Sequence, residues 1–158
     1  MKSKMLEPTT DFSDSVFHKI KQLSIYIEKL AQNFFDIRNV DLTHDEFGAL
    51  NVILNHPNIC QRDLAKIILR DRVRTGRILN SLEDKGYVKR TNTTKNNRLV
   101  RLLTLTKTGE KFYNEQFYIM NNVMAKILEK FPEEKMLELK CSLETLETAL
   151  SEITEFNI

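Results

Sequence analysis

The sequence has few of the residues that mark several classes of protein. Its 158 residues include only four glycines and three prolines, which favours long helices over tight turns. The two cysteines, Cys60 and Cys141, match neither metal-ligand spacing nor a disulfide framework. No apolar run reaches the roughly 18 residues that span a bilayer, and residues 1–10 lack the apolar stretch of a secretory signal. These absences predict a soluble cytoplasmic protein.

The residue patterns of enzymes are missing as well. The sequence contains no glycine-rich phosphate loop, no cluster with metal-ligand spacing and no nucleophile placed beside a base. The three histidines, His18, His44 and His56, fall on different predicted elements. We therefore expect no catalytic activity, no cofactor and no bound metal.

Positive charge is concentrated in the middle of the chain. Residues 60–101 contain twelve basic and four acidic residues, a net charge of +8, whereas the whole chain carries +2 and the remainder therefore −6. Charge sorted in this way points to a polyanion as the partner of the middle segment. A solvated basic face without a partner is the alternative, and the placement of the charges on a motif disfavours it.

Three segments carry the apolar seam of a long helix. In each, apolar residues step alternately by four and three positions, as at the a and d positions of a coiled coil. The first segment covers residues 13–39 with Ser13 or Asp14 as its cap, the second follows Thr106, and the third follows Pro132. The seams are Val16, Ile20, Leu23, Ile27, Leu30 and Phe34; Tyr113, Phe117, Met120, Met124, Ile127 and Phe131; and Met136, Leu139, Leu143, Leu146, Leu150 and Ile153.

Shorter elements are predicted between the first two seams. A helix opens at Thr43, where Thr43 and Glu46 have the spacing of a capping box, and it ends before Pro57. A short extended piece at Ile59 and Cys60 follows. The chain then leads into the basic region.

The basic region reads as a helix-turn-helix followed by a hairpin. One helix covers residues 61–68, and the next begins at Arg72 or Val73 and is closed by Gly86 in the left-handed conformation. Strands are predicted at residues 87–91 and 99–105, with a polar turn at 92–97. A basic helix beside a basic hairpin suits a DNA major groove and the backbone or minor groove next to it.

The motifs of this region resemble those of the MarR family of bacterial winged-helix transcription regulators. The match covers nearly the whole chain in the order of elements and residues 43–109 in motif detail. The matching pieces are Asp63-Leu64-Ala65, Asp71-Arg72, Leu82-Glu83-x-Lys85-Gly86-x-Val88-x-Arg90, the wing arginine Arg98, and Leu105-Thr106-x-x-Gly109.

The resemblance implies a mainly α, α+β fold that forms one domain over residues 1–158. A winged helix-turn-helix lobe at 43–105, with a small β-hairpin wing, would lie between dimerisation helices at 12–40 and 107–158. Two copies would place their lobes on successive turns of a pseudo-palindromic operator, about 34–36 Å apart. The expected dimer interface comprises Val16, Ile20, Leu23, Ile127, Met136, Leu139, Leu143, Leu146, Leu150 and Ile153.

The second helix of the motif is expected to enter the major groove. Arg74 and Arg77 share a face, and each either reads a guanine or contacts only phosphate. Thr75 is expected at a thymine methyl or a phosphate, and Arg90 either braces the wing or meets the backbone. By the resemblance, Arg98 enters the minor groove. The full set of predicted DNA contacts is Gln61, Arg62, Arg72, Arg74, Thr75, Arg77, Asn80, Arg90, Lys95 and Arg98.

Three positions depart from the pattern of the family. Asn97 stands where an aspartate often precedes the wing arginine, so a charge-assisted brace is lost. Val73 and Arg74 replace small hydroxyl residues at the start of the second helix. Gly76 costs about 1 kcal/mol relative to alanine inside a helix. We expect either close approach of its backbone to DNA or to the preceding helix, or simple tolerance.

Members of the family are often released from DNA by small phenolic or lipophilic effectors, and some sense oxidants through cysteine. Cys60 at a helix N-terminus near Arg62 is the candidate for redox sensing, with a small residue in place of a cap as the alternative. An effector cleft would use Phe17, His18, Tyr26, Phe47, Tyr113 and Phe117, although aromatic residues at this spacing also form plain core.

The sequence therefore predicts a sequence-specific DNA-binding transcriptional regulator, a repressor or less often an activator, that acts as a homodimer. A non-specific architectural DNA-binding protein and an oxidant sensor are the alternatives. A module that only binds other proteins through the helical seams is a third possibility.

Overall fold

The computed structural model describes Ser13 and residues 15–95 and 98–153. The chain forms two compact units, Met1–His44 and Asp45–Ile158. The elements are α1 (Val16–Ile37), α2 (His44–Asn55), β1 (Ile59–Cys60), α3 (Gln61–Ile67), α4 (Arg72–Asp84), β2 (Val88–Lys95), β3 (Arg98–Leu105), α5 (Lys107–Leu128) and α6 (Glu133–Ile153).

Helix α1 provides most of the first unit. Ser15 is its N-cap, with an extended backbone and a hydroxyl that accepts the His18 N–H at 3.1 Å. The prediction of Ser13 or Asp14 as the cap was therefore wrong by one or two positions, because the helix starts only at Val16; Asp14 itself lies outside the described residues. Much of the seam is exposed, and half or more of Val16 and Leu23 reaches solvent.

The core of the second unit is formed where α2, α3, α4 and the sheet meet. Burying a leucine or isoleucine side chain contributes about 1.5–3 kcal/mol, so this cluster is the main source of stability in the unit. Its fully buried residues are Leu50, Ile53, Leu64, Leu79, Leu82 and Leu103. In the part of the chain that the structure describes, none of the helices has both the length and the apolar character for crossing a membrane.

The sheet has three antiparallel strands in the order β1-β3-β2. The short extended piece at Ile59 and Cys60 is confirmed as β1, which pairs with Leu103 and Leu102. The prediction of a turn over residues 92–97 was wrong for residues 92–95, because the β2–β3 ladder continues from Asn92↔Arg101 to Lys95↔Arg98. Residues 96 and 97 lie outside the described part. The β-branched threonines at positions 93 and 94 favour strand over turn.

Helices α3 and α4 end in the same way. After α4, Gly86 has φ 73°, and the N–H groups of Gly86 and Tyr87 donate to Glu83 and Leu82, each at 2.9 Å. This is a Schellman ending, and it confirms the left-handed glycine. After α3, Leu69 takes the same place with φ 52°, so the turn into α4 is made without glycine.

Helix α5 begins against the end of α4. The Thr106 hydroxyl accepts the Gly109 N–H at 2.9 Å and donates to the Gly86 carbonyl at 2.7 Å. A Cβ at Gly109 would overlap the carbonyl oxygen of Tyr87 and stand 2.8 Å from its carbonyl carbon. The Thr106-x-x-Gly109 motif thus caps α5 and allows the backbone at Tyr87 to approach it.

Helices α5 and α6 leave much of their seams uncovered. Tyr113 is buried, but Phe117, Leu139, Leu143 and Leu150 are each 40% or more exposed. The side chains of Ile127 and Ile153 lie outside the described residues. These faces have the apolar character of surfaces that another copy covers.

We expect Gly109→Ala to lower the free energy of unfolding by roughly 1–3 kcal/mol, because the new Cβ must displace backbone. Gly48→Ala is the matched control, since a Cβ at Gly48 meets nothing within 4 Å. That variant should be neutral or stabilised by up to about 1 kcal/mol. Urea unfolding followed by circular dichroism measures both. Equal stabilities for the two variants would contradict the close approach.

Candidate nucleic-acid interface

Helix α4 has one buried and one open face. Thr75, Ile78, Leu79 and Leu82 are buried and turn toward the core. On the opposite side, at spacings of four and three residues, are Val73, Arg77 and Asn80, all of them exposed. Within the described residues, Arg77 has no hydrogen bond or ion pair. The open face of α4, defined as Val73, Arg77 and Asn80, therefore offers a cation, an amide and a branched apolar group.

Thr75 was wrongly predicted as a DNA contact. Its side chain is fully buried, and its hydroxyl donates to the Asp71 carbonyl at 2.8 Å. The position belongs to the inner face of α4 together with Ile78 and Leu79. Thr75 therefore stabilises the first turn of α4 and has no surface to offer a base.

The start of α4 is held by side chains from two directions. Asp71 is the N-cap and accepts the Arg74 N–H at 2.8 Å. The Gln61 side chain donates from Nε2 to the Arg72 carbonyl at 3.2 Å. A Cβ at Gly76 would lie 3.4 Å from the same Nε2 atom. Gln61 thus joins the first residue of α3 to α4, and Gly76 faces this junction.

A carboxylate from α2 lies between two arginines. Asp45 Oδ1 accepts from Arg70 Nη2 at 2.9 Å, and Asp45 Oδ2 accepts from Arg74 Nε at 2.8 Å. Asp45 Oδ2 also forms an ion pair with Arg74 Nη2 at 2.6 Å. Burial alone would raise the pKa of Asp45, but the hydrogen bonds and charges of Arg70 and Arg74 outweigh it and lower that pKa. The Asp45–Arg70–Arg74 cluster therefore keeps an ionised carboxylate at the start of α4.

Arg90 connects the hairpin to α4. Its Nη1 donates to Glu83 Oε2 at 2.9 Å and its Nη2 donates to Asn80 Oδ1 at 2.8 Å. Of the two roles expected for Arg90, the structure shows the brace. Because arginine only donates, the Asn80 amide must turn its oxygen toward Arg90 and its NH₂ group away. Asn80 is thereby prepared to donate to phosphate or to a base acceptor.

The remaining predicted contacts lie around this face. Arg62, near the start of α3, is exposed and forms an ion pair with Asp63 at 3.3 Å. Arg72 is the exposed first residue of α4. Lys95 and Arg98 are directly paired at the far end of the hairpin ladder, and their side chains lie outside the described residues.

The aromatic residues predicted for an effector cleft divide between the two units. In the second unit, the Tyr113 ring stacks on Phe47 at 5.0 Å and on Phe117 at 5.6 Å. The Tyr113 hydroxyl donates to Asn51 Oδ1 at 2.7 Å, and burial raises the pKa of this tyrosine. In the first unit, Phe17 and Tyr26 are exposed on α1 and the backbone of His18 bonds to the helix cap.

Cys60 takes the N-cap position of α3, as expected, but without a side-chain cap bond. Its thiol instead donates to Asp63 Oδ2 at 3.0 Å, and this hydrogen bond is the largest effect that lowers the pKa of Asp63. The thiol is thereby engaged as a hydrogen-bond donor at the start of α3. The other cysteine, Cys141, is exposed on α6.

Two residues of this candidate interface were not found by sequence reasoning. Val73 is 66% exposed on the open face of α4, a position that a helical wheel drawn from Ile78 and Leu82 would have indicated. Asp45 was regarded only as part of a capping segment. No local pattern reveals that it meets arginines 25 and 29 residues later.

Residues 40–98 match the model of the MarR family. A curated relative from Bacillus subtilis (strain 168), an uncharacterized HTH-type transcriptional regulator called YybA, is 30% identical over 78 residues. That stretch is 49% of this chain and 51% of YybA, so the match spans about half the length of the relative.

Solved structures resemble the whole described fold. The S. aureus MepR–DNA complex has a TM-score of 0.74 at 19% identity and covers 89% of this chain and 99% of that chain. NadR in complex with 4-hydroxyphenylacetate has a TM-score of 0.73 at 24% identity and covers 89% of this chain and 100% of NadR. The predicted fold class and the predicted family resemblance are confirmed.

Arg90→Met should loosen the hairpin and lower the free energy of unfolding by about 1–2 kcal/mol, since two charge-assisted bonds to α4 are lost at a partly exposed site. Lys89→Met is the control, because Lys89 is exposed on the same strand. Hydrogen exchange of the β2–β3 amides measures the effect. Identical protection in both variants would argue against the brace.

Proposed function

We propose that the protein is a sequence-specific transcriptional regulator. The premise is that the winged lobe of this chain (α2 to β3) belongs to the MarR family. The protein binds double-stranded DNA as a homodimer. The observation that carries the proposal is the open face of α4, where Arg77 has no partner among the described residues and Asn80 is oriented to donate. A cation and a directed donor on a helix of this size fit the major groove.

The charge around α4 supports a nucleic acid as the partner. The segment 60–101 carries +8, and the paired backbones of Lys95 and Arg98 bring two basic residues to one end of the hairpin. Phosphate neutralisation by such groups makes affinity fall steeply with salt. The fold is also that of MepR, which was solved with DNA.

Specific and non-specific DNA binding are distinguished by a ratio of affinities. Genomic fragments selected by the purified protein supply candidate operators, and random duplexes of equal length supply the reference. We expect the selected sites to bind at least 1,000-fold more tightly at physiological salt, the lower end of the usual range. A ratio near one would favour an architectural DNA-binding protein. Affinity that does not change between about 50 and 200 mM salt would favour a module without a nucleic-acid partner.

The homodimer is proposed from the uncovered seams. Helix α1 and helix α6 each expose several large apolar side chains, including Leu23, Leu139, Leu143 and Leu150. A symmetric partner covers such faces and spaces two winged lobes for a pseudo-palindromic site. On an operator that overlaps a promoter, such a dimer would act as a repressor by blocking access to the promoter.

Release by a small aromatic acid is the second part of the proposal. The stack of Phe47, Tyr113 and Phe117 ends in a ring that is 43% exposed, and NadR, of the same fold, was solved with 4-hydroxyphenylacetate. Titration of hydroxyphenylacetates against the operator complex tests this part. Loss of the complex at micromolar to millimolar ligand supports it, and an unchanged complex refutes this class of effector.

Arg77→Ala is expected to weaken operator binding by roughly 5- to 150-fold and to relax the base preference at one position, as for a lost bidentate contact. Lys140→Ala removes the same charge from α6, where Lys140 is exposed and, among the described residues, pairs only with Glu144. This control should stay within about twofold of the wild type. An equal loss of affinity on all sequences would mean that Arg77 contacts only phosphate.

Leu143→Glu should convert the dimer to monomers, because a charge placed in an apolar interface must be desolvated without a partner. Thr148→Glu adds the same charge on the opposite face of α6, where the Thr148 hydroxyl donates to the Glu144 carbonyl of its own helix. Sedimentation velocity distinguishes the two variants. A Leu143→Glu chain that remains dimeric would remove the α6 seam from the interface.

A further inference from the structure

The contact between Asp45 and Arg74 has a geometry that goes beyond simple ion pairing. Arg74 directs its Nε and Nη2 atoms to one carboxylate oxygen, at 2.8 and 2.6 Å. A guanidinium has two edges with paired donors, the Nε–Nη2 side and the Nη1–Nη2 end. The carboxylate occupies the side. At the end, Nη1 has no partner within the described residues, and Nη2 keeps a second N–H that points away from the side.

Arg74 remains available to a ligand despite this contact. Its side chain is 57% exposed, whereas that of Asp45 is only 16% exposed. Arg74 is the third residue of α4, in the N-terminal turn that meets base edges in helix-turn-helix proteins. The free Nη1–Nη2 end is the edge that forms two parallel hydrogen bonds with guanine O6 and N7.

We propose that Asp45 is a positioning residue that turns Arg74 into a reader of guanine. The proposal rests on the DNA-binding function proposed above. Asp45 holds the guanidinium plane before DNA arrives, so that less of the side-chain freedom of arginine is lost on binding. Arg77, without a partner in the described residues, then reads a separate base from the open face of α4.

A phosphate fits Arg74 less well than a base does. A phosphate bound to Arg74 would bring its negative charge close to the Asp45 carboxylate, which repels it. Guanine presents neutral acceptors, so the Asp45 carboxylate repels it much less. In addition, a guanidinium whose plane is fixed favours a target with two acceptors at a set angle. Phosphate contacts tolerate many directions.

The environment of Asp45 also supports a permanent carboxylate. Arg70 bonds the same group from the turn between α3 and α4, through Nε at 3.3 Å to both oxygens and Nη2 at 2.9 Å to Oδ1. The two arginines lower the pKa of Asp45. The carboxylate therefore stays charged across the pH range of the cell and keeps Arg74 in place.

The test uses full-length protein and a duplex selected by the wild type from a random-sequence pool. Affinities are measured by fluorescence anisotropy for this duplex, for each single base-pair change and for an unrelated duplex. We expect one G·C pair whose preference, roughly 5- to 150-fold, disappears in Arg74→Ala. Asp45→Asn should lose most of the same preference, and the double variant should be no worse than Arg74→Ala alone.

The unrelated duplex separates positioning from structural damage. Asp45→Asn removes a negative charge near DNA, so its non-specific affinity should stay equal or rise, whereas a damaged lobe would lose affinity everywhere. Arg74→Lys keeps the cation without the planar fork and should lose the G·C preference while retaining non-specific binding. Arg70→Gln removes the ion pair between Arg70 and Asp45, and this variant should keep the G·C preference.

Two results would overturn the proposal. One is an Asp45→Asn protein that retains the full preference at that pair. The other is an equal loss of affinity on every duplex in Arg74→Ala, which assigns Arg74 to phosphate. Wild-type protein that selects no sequence from the pool would instead overturn the proposed function and this inference together.

Discussion

The burial of one face of α4 is the constraint on which the rest of the structure depends. Ile78, Leu79 and Leu82 fix the rotation of the helix about its axis, and because a helix repeats every 3.6 residues, they also decide what remains outside. This rotation of the helix leaves three residues exposed: Val73, Arg77 and Asn80. A change in the inner face would therefore redirect every group on the outer one.

Polar contacts then refine the positions that the core sets. Asp71 caps α4, Gln61 bonds its first residue, Asp45 holds Arg74, and Arg90 reaches Asn80 from the hairpin. Each is weak beside the burial of the leucines, but each fixes one donor in direction. Stability and orientation in this lobe thus come from different classes of interaction.

The sequence predicted the elements well where the signals are local. The seams, the glycine after α4, the threonine before α5 and the short strand at Ile59 all depend on residues within a few positions of each other. Prediction from the sequence failed where contacts between distant parts of the chain decide the position of a residue. Thr75 looked available because small hydroxyl residues often face DNA, yet the packing of α4 buried it. The long ladder beyond Asn92 was missed because polar residues of an edge strand resemble those of a turn.

The length of the hairpin has a mechanical consequence. Each of β2 and β3 has eight residues, and at about 3.3 Å per residue the far end extends about 26 Å from the base. Arg90, the third residue of β2, grips α4 near that base. The hairpin can therefore act as a lever that pivots at Arg90: by the same strand geometry Lys95 lies about 17 Å from this pivot, and a tilt of about 10° there displaces it by about 3 Å. In the proposed complex with DNA, small adjustments at one guanidinium would decide whether the far end of the hairpin reaches a groove.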